Sequence, residues 1–195
     1  MEQSEKTSVY QETAGGDIPK KTLKTELIEW AKAFLFAGVI VGLLFGFVIT
    51  PRVVDGHSMN PTLQDGDRLI VWMLGYDPAP GDIVILSEDT GLDECLVKRV
   101  IATGGQTVDI DADGCVLVDG ARLDETYIQE AIDGRHRGDW EYPLTVPDGF
   151  IFVMGDNRNA STDSRFRMVG FIDEDEVVGR AILRILPVSS FCILD

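Results

Sequence analysis

Cys95-Leu96-Val97-Lys98-Arg99-Val100-Ile101, closed by Gly104-Gly105, is a short apolar run ending in turn residues, and it reads as a buried strand. The same figure recurs on either side of it. Gly66-Asp67 precedes Arg68-Leu69-Ile70-Val71-Trp72, and Gly81-Asp82 precedes Ile83-Val84-Ile85-Leu86, each a turn feeding a short strand. Thr107–Ile110 and Cys115–Val118, joined through Asp111-Ala112-Asp113-Gly114, form a hairpin, because Asp-Gly supplies the turn geometry. Phe150–Met154 and Val177–Ile185 complete the set. No convincing helix appears among them, so the expected fold is mostly β, an antiparallel folded sheet or barrel without internal repeats. Asp119–Pro147 is polar and irregular, an excursion from the core, and with the hairpin it makes a polar β insertion at about 106–148.

The N-terminal part reads differently. Residues 1–24 are polar and mixed in charge, with Gly15-Gly16 and Pro19, and are expected to form a mobile tail. A helical stretch from about Leu23 runs into Ala33–Ile49, seventeen residues with no charge and no strongly polar side chain. At ~1.5 Å per residue this run spans about 26 Å, the short end for crossing a bilayer, and Trp30 and Lys32 extend it at the interface. A cleavable secretory signal would carry a shorter apolar core and an Ala-x-Ala-like site soon after it; here Thr50-Pro51-Arg52 follows. The expectation is a retained anchoring helix over 25–50, with 51–195 as the outer domain. Lys20, Lys21, Lys24 and Lys32 precede the span and only Arg52 closely follows it, which places the tail in the cytoplasm and residues 51–195 outside. Gly38, Gly42 and Gly46 repeat every four residues, but glycine is common in such spans and no oligomer follows from them.

The net charge is −16, and nearly all of it lies in the outer domain, where 12 Lys+Arg face 27 Asp+Glu. A nucleic-acid binder needs a basic surface, so that class is excluded. Cys95, Cys115 and Cys192 have neither metal-ligand spacing nor the density of a disulfide scaffold. A Cys95–Cys115 bridge is left open; unpaired, partly buried thiols are the expected state.

Lys98 is the one lysine beyond Thr50. Arginine stays protonated in proteins, whereas a desolvated lysine can lose its proton, so a lysine inside an apolar strand is a candidate base. Its candidate nucleophile is Ser58, in Gly56-His57-Ser58-Met59-Asn60-Pro61-Thr62. Pro61 biases Asn60 toward an extended conformation, and small neighbours leave backbone N–H groups open to a ligand. A serine so presented suits attack on a carbonyl once a base removes its proton; taken alone, a serine satisfying its own turn is the commoner case. His57 is adjacent to Ser58, and in an extended segment the two side chains point to opposite sides. His136, in Asp133-Gly134-Arg135-His136-Arg137-Gly138, reads as solvated. Lys98 is left, and to act at neutral pH its pKa must fall by ~3 from the free value, chiefly through desolvation, since Arg99 faces away from it along the strand. The bland alternative is a lysine on an exposed sheet edge. The third cluster, Gly155-Asp156-Asn157-Arg158-Asn159-Ala160-Ser161-Thr162-Asp163-Ser164-Arg165, holds no large apolar side chain and can brace a site through hydrogen bonds and an Asp163–Arg165 pair. It lacks the glycines and lysine of a phosphate-cradling loop.

Ser58-Met59-x-Pro61-Thr62-Leu63, Gly81-Asp82-Ile83-Val84, Leu96-Val97-Lys98-Arg99-Val100-Ile101 with Gly104-Gly105, and Gly155-Asp156-Asn157-Arg158 with Ser161-x-Asp163-Ser164-Arg165 resemble the four boxes of the type I bacterial signal (leader) peptidases. They occur in that family's order, behind an anchor, over about residues 30–187, and the brevity of the chain is most similar to the Gram-positive type. The resemblance implies a serine–lysine dyad endopeptidase that removes signal peptides from exported preproteins at Ala-x-Ala-like sites, without cofactor or metal. It implies Ser58 as nucleophile and Lys98 as general base, Ser161 orienting the amine, and Asp163 and Arg165 as the supporting pair. Some members place a second oxyanion-holding serine two residues before the nucleophile; here that position is Gly56, as in many Gram-positive relatives. The implied partners are secretory preproteins and the lipid bilayer, and the implied location is the cell membrane, single-pass, with a cytoplasmic N-terminus. A self-cleaving repressor-type peptidase lacks a retained span and carries a DNA-binding module that is missing here. An inactive membrane-tethered binding factor has no need of Ser58, Lys98 and Ser161.

Overall fold

The computed structural model describes residues 23–87 and 95–194; most of the expected tail at 1–24 lies outside them. Helix α1 covers Leu23–Leu43 and continues as a π-helical turn over Leu44–Val48. Leu23–Val48 contains an 18-residue window with a mean hydropathy of 2.2 and is long and apolar enough to cross a membrane. The helical run stops two residues short of the expected boundary at residue 50. Ile49 takes φ −134° and ψ 147°, and strand β1 begins there and runs Ile49–Val53. β-Branched Ile49 and Thr50 favour that conformation, and Pro51 has no N–H to continue a helix.

The remaining chain is antiparallel β, as expected from its short turn-bounded runs. β2 (Arg68–Trp72), β3 (Ile83–Leu86), β4 (Val97–Thr103), β9 (Phe150–Met154), β10 (Ile172–Asp173), β11 (Val177–Leu186) and β12 (Cys192–Ile193) join β1 in one sheet. Its order is β1-β2-β11-β3-β4-β9-β10, with β12 beside β11. A second sheet, β7-β6-β5-β8, is built from β5 (Thr107–Ile110), β6 (Val116–Val118), β7 (Ala121–Arg122) and β8 (Leu144–Thr145). The excursion over 119–147 thus contributes two short strands that its composition did not announce.

Burial follows the pleat. In β2, Leu69 and Val71 point inward while Arg68 and Trp72 remain exposed. In β3 all four residues are buried: Ile83 and Ile85 pack with Val54, Met59, Leu63, Leu69 and Val71, and Val84 and Leu86 pack on the other side with Val100, Ile151, Val153 and Ile172. A third cluster joins Ile101, Phe152 and Met154 to Val108, Ile110, Val116 and Val118 of the second sheet. Central strands with core on both faces read as continuous apolar runs, which is why β3 and β9 are the most legible in the sequence. Register shifts in β11 opposite β2 and β3 curl the large sheet. At one of them Gly179 lies against the Trp72 carbonyl, where a Cβ would collide.

Candidate active site

Ser58 sits in a turn between β1 and β2. Val54 N–H donates to the Asp67 carbonyl, Gly66 N–H to the Val54 carbonyl, and Leu63 N–H to the Met59 carbonyl, each at 2.9 Å. Met59 and Leu63 are fully buried, so the turn hangs from the core on either side of the serine. The segment is folded into turns, whereas an extended conformation was expected around Asn60. Asn60 N–H closes one of them onto the His57 carbonyl at 3.1 Å. Gly56 has φ +85°, a conformation that disfavours a side chain, and its N–H is held by Asp65 Oδ1 at 2.9 Å.

Forty residues on, Val84↔Lys98 pairing fixes Lys98 in the middle of the β3–β4 ladder. Its side chain is 3% exposed, which disposes of the exposed-edge alternative, and Nζ lies 2.8 Å from Ser58 Oγ. Burial pulls the Lys98 pKa below the usual lysine value; the Asp163 carboxylate opposes that pull, and the Arg165 guanidinium adds to it. The cation that helps is therefore Arg165, while Arg99 points away, as its strand position requires. Arg99 makes a two-pronged pair with Asp156, Nε to Oδ1 at 2.9 Å and Nη2 to Oδ2 at 2.8 Å, and donates from Nη1 to the Gly81 carbonyl.

The loop after β9 locks both partners together. Asn157 N–H donates to the Ser58 carbonyl at 2.9 Å and Asn157 Nδ2 to the His57 carbonyl at 3.0 Å. Asp156 Oδ2 also accepts from Thr62 Oγ1 at 2.5 Å. Gly155 N–H donates to Asp163 Oδ2, which is itself held by Arg165 Nη2 at 2.8 Å, and Asp163 and Arg165 are both wholly buried. Arg165 Nη1 reaches the His136 carbonyl at 2.9 Å, so His136 belongs to this brace and is half-buried, where a solvated position was expected. His57 is exposed. The Ser161 hydroxyl is buried against Gly155, and it has no hydrogen-bond partner among the described residues.

The electrostatics are arranged in pairs. Arg99 faces Asp156, Arg158 faces Glu125, Arg165 faces Asp163, Arg180 faces Asp82 and Arg184 faces Asp67, all at 3.0 Å or less. Among the described residues, Lys98 is the buried ionisable side chain without such a partner. A neutral amine leaves this interior balanced, whereas a protonated one adds an uncompensated charge. Such a site can deprotonate an alcohol beside it, the elementary requirement for acyl transfer through a serine.

Sequence reading singled out Ser58, Lys98, Gly56, Ser161, Asp163 and Arg165. It missed the pairing of Arg99 with Asp156, although an arginine inside one apolar run and an aspartate in the loop motif were visible as complementary charges. Asn157 lay within the loop expected to brace the site, whereas Glu125 and Tyr127 gave no signal that polar loops elsewhere lack. Cys95, Cys115 and Cys192 are unpaired and half-buried.

Comparison with known proteins points to one family. The family model of signal peptidase, peptidase S26, matches residues 27–186. A probable signal peptidase I-1 from Synechocystis sp. is 40% identical over 166 residues, 80% of each chain. Signal peptidase IB of Staphylococcus aureus is 34% identical over 87% of this chain and 94% of its own. Signal peptidase I of Bacillus licheniformis is 38% identical over 84% of this chain and 91% of its own. The crystal structure of a signal peptidase I from Enterococcus faecalis covers 54% of this chain and 97% of that one, with 29% identity and a TM-score of 0.45. The chain belongs to the signal peptidase family, peptidase S26, and is a serine endopeptidase.

Proposed function

We propose that this peptidase removes N-terminal signal peptides from exported preproteins, cutting after small residues at Ala-x-Ala-like sites with a Ser58/Lys98 dyad. The observation that carries the reading is a buried lysine amine 2.8 Å from a serine hydroxyl. Neutral Lys98 takes the Ser58 proton as Oγ attacks the scissile carbonyl, and the Ser58 N–H holds the developing oxyanion. Gly56 offers no hydroxyl there, so one side-chain donor is absent from the hole. The ammonium of Lys98 then protonates the departing amine, leaving an acyl-enzyme that water hydrolyses with Lys98 again as base. Asp163 and Arg165 hold the wall behind the amine, and Ser161 orients it when its hydroxyl turns from Gly155 toward Nζ.

The helix over Leu23–Val48 anchors the enzyme in the cell membrane in a single pass, with the tail in the cytoplasm and residues 51–195 outside. The anchor tethers the peptidase to the membrane that the apolar segment of a secretory preprotein enters. Purified protein in detergent is incubated with an Ala-x-Ala precursor and the products are weighed by mass spectrometry. Cleavage after the last Ala, lost in Ser58→Ala and in Lys98→Met, is the expected result; an intact precursor or an active Lys98→Met variant overturns the assignment.

A further inference from the structure

The loop that holds Ser58 is itself held from outside. Residues 155–161 contain no regular structure beyond a 3-10 turn at Arg158–Ala160, so their position depends on what grips them. Arg158 is fully buried; its Nε donates to the Gly155 carbonyl at 3.1 Å, and its Nη2 meets Glu125 Oε1 at 2.5 Å. The Tyr127 ring centroid lies 4.0 Å from the Arg99 guanidinium and 5.9 Å from that of Arg158, and the Tyr127 hydroxyl donates to Glu125 at 3.2 Å. One residue on from Arg158, Asn159 donates to Glu130 and the Ala131 carbonyl and accepts from Asp133 N–H at 2.9 Å. Glu125, Tyr127, Glu130, Ala131 and Asp133 all come from the polar excursion after β7.

We propose that Glu125 and Tyr127 are positioning residues of the peptidase site, latching the excursion onto the 155–161 loop and thereby holding Ser58 and Lys98 in reacting register. The inference rests on the dyad reading above. Two routes lead inward from the latch. Glu125 fixes Arg158, which fixes the Gly155 carbonyl beside Ser161. Tyr127 caps Arg99, whose other contacts are Asp156 and the Gly81 carbonyl, and Asp156 ties down Thr62 of the nucleophile turn. The ring also shuts water out from above the Arg99–Asp156 pair, which strengthens that pair. A loose latch frees Asn157 from the Ser58 carbonyl and lets water reach Lys98, raising its pKa toward the ordinary value.

Glu125→Gln, nearly isosteric, and Tyr127→Leu are measured in the full chain with an Ala-x-Ala precursor, with kcat expressed per active site titrated by a serine-directed acylating inhibitor. The expected result is a fall in kcat of about a hundredfold at little-changed KM, the scale of an ångström-sized misplacement. The acid limb of the kcat–pH profile is expected to move to higher pH, and Tyr127→Phe, which keeps the ring over Arg99, restores most of what Tyr127→Leu loses. A purely structural role would lower the number of titratable sites and leave kcat per site and the pH limb in place; that result overturns the latch. Wild-type protein that cleaves no precursor removes the dyad reading and the latch with it, whereas an active wild type with fully active Glu125→Gln and Tyr127→Leu variants removes the latch alone.

Discussion

Gly155→Ala is a one-carbon change aimed at the joint between nucleophile and loop. A Cβ at Gly155 would lie 2.6 Å from the Ser161 Cβ, and it would also collide with the Ser161 hydroxyl and the Ser58 carbonyl oxygen. Ordinary carbon contacts are ~3.5–4.0 Å, so about 1 Å of space must be found. Met154 and Asp163 flank the site and are fully buried, which leaves the Ser58 turn and the 157–161 segment to give way. Moving Ser58 by that amount takes Oγ from its 2.8 Å separation beyond the ~3.2 Å reach of a good hydrogen bond to Lys98. The expected cost is about a hundredfold in kcat, with about 1–3 kcal/mol lost from folding stability through overpacking. The assay compares precursor cleavage per titrated site and thermal unfolding for Gly155→Ala and for Gly134→Ala, where an added Cβ meets nothing within 4 Å. Wild-type turnover by Gly155→Ala would refute the claim that this contact sets the nucleophile's position.

Asp156→Ala removes the carboxylate from the buried Arg99, and an uncompensated buried charge costs about 3–5 kcal/mol; urea unfolding reads that loss, and precursor cleavage should disappear with it. Lys98→Met behaves oppositely. Because burial lowers the Lys98 pKa in the folded state, the unfolded chain binds more protons between the folded and unfolded values, so wild-type stability rises with pH across that window. Below the window the buried lysine carries its full destabilising cost, so Lys98→Met should unfold at a higher temperature than wild type at acidic pH, and the gap should close above the ordinary lysine pKa. Scanning calorimetry across pH reads both.

The sheet was legible because most of its strands announce themselves. β2 alternates, β3 and β9 are continuously apolar, and Asp113-Gly114 marks the β5–β6 turn. The helix end was read two residues too long, since apolar composition alone does not register where Ile49 and Pro51 turn the chain into β1. Lys98 and Ser58 were legible by exception, a lone lysine in an apolar run and a serine among small residues. The grip on them was not. Arg165 aids Lys98 across the fold, His136 supplies a backbone carbonyl, and Glu125 reaches Arg158 over thirty-three residues. Contacts of this kind depend on how a polar segment folds back, and polarity alone does not distinguish a segment that docks from one that is solvated.

The protonation state of one amine decides the account. The chain has six lysines, five of them in the first 50 residues, so lysine labelled with 15N at Nζ gives few signals, and Lys98→Met identifies the one that matters. A pH titration of the full chain in detergent should show five amines titrating near the ordinary value of ~10.4 and one, absent from Lys98→Met, that loses its proton at distinctly lower pH because it is buried. Six amines titrating together at the ordinary value would contradict the dyad.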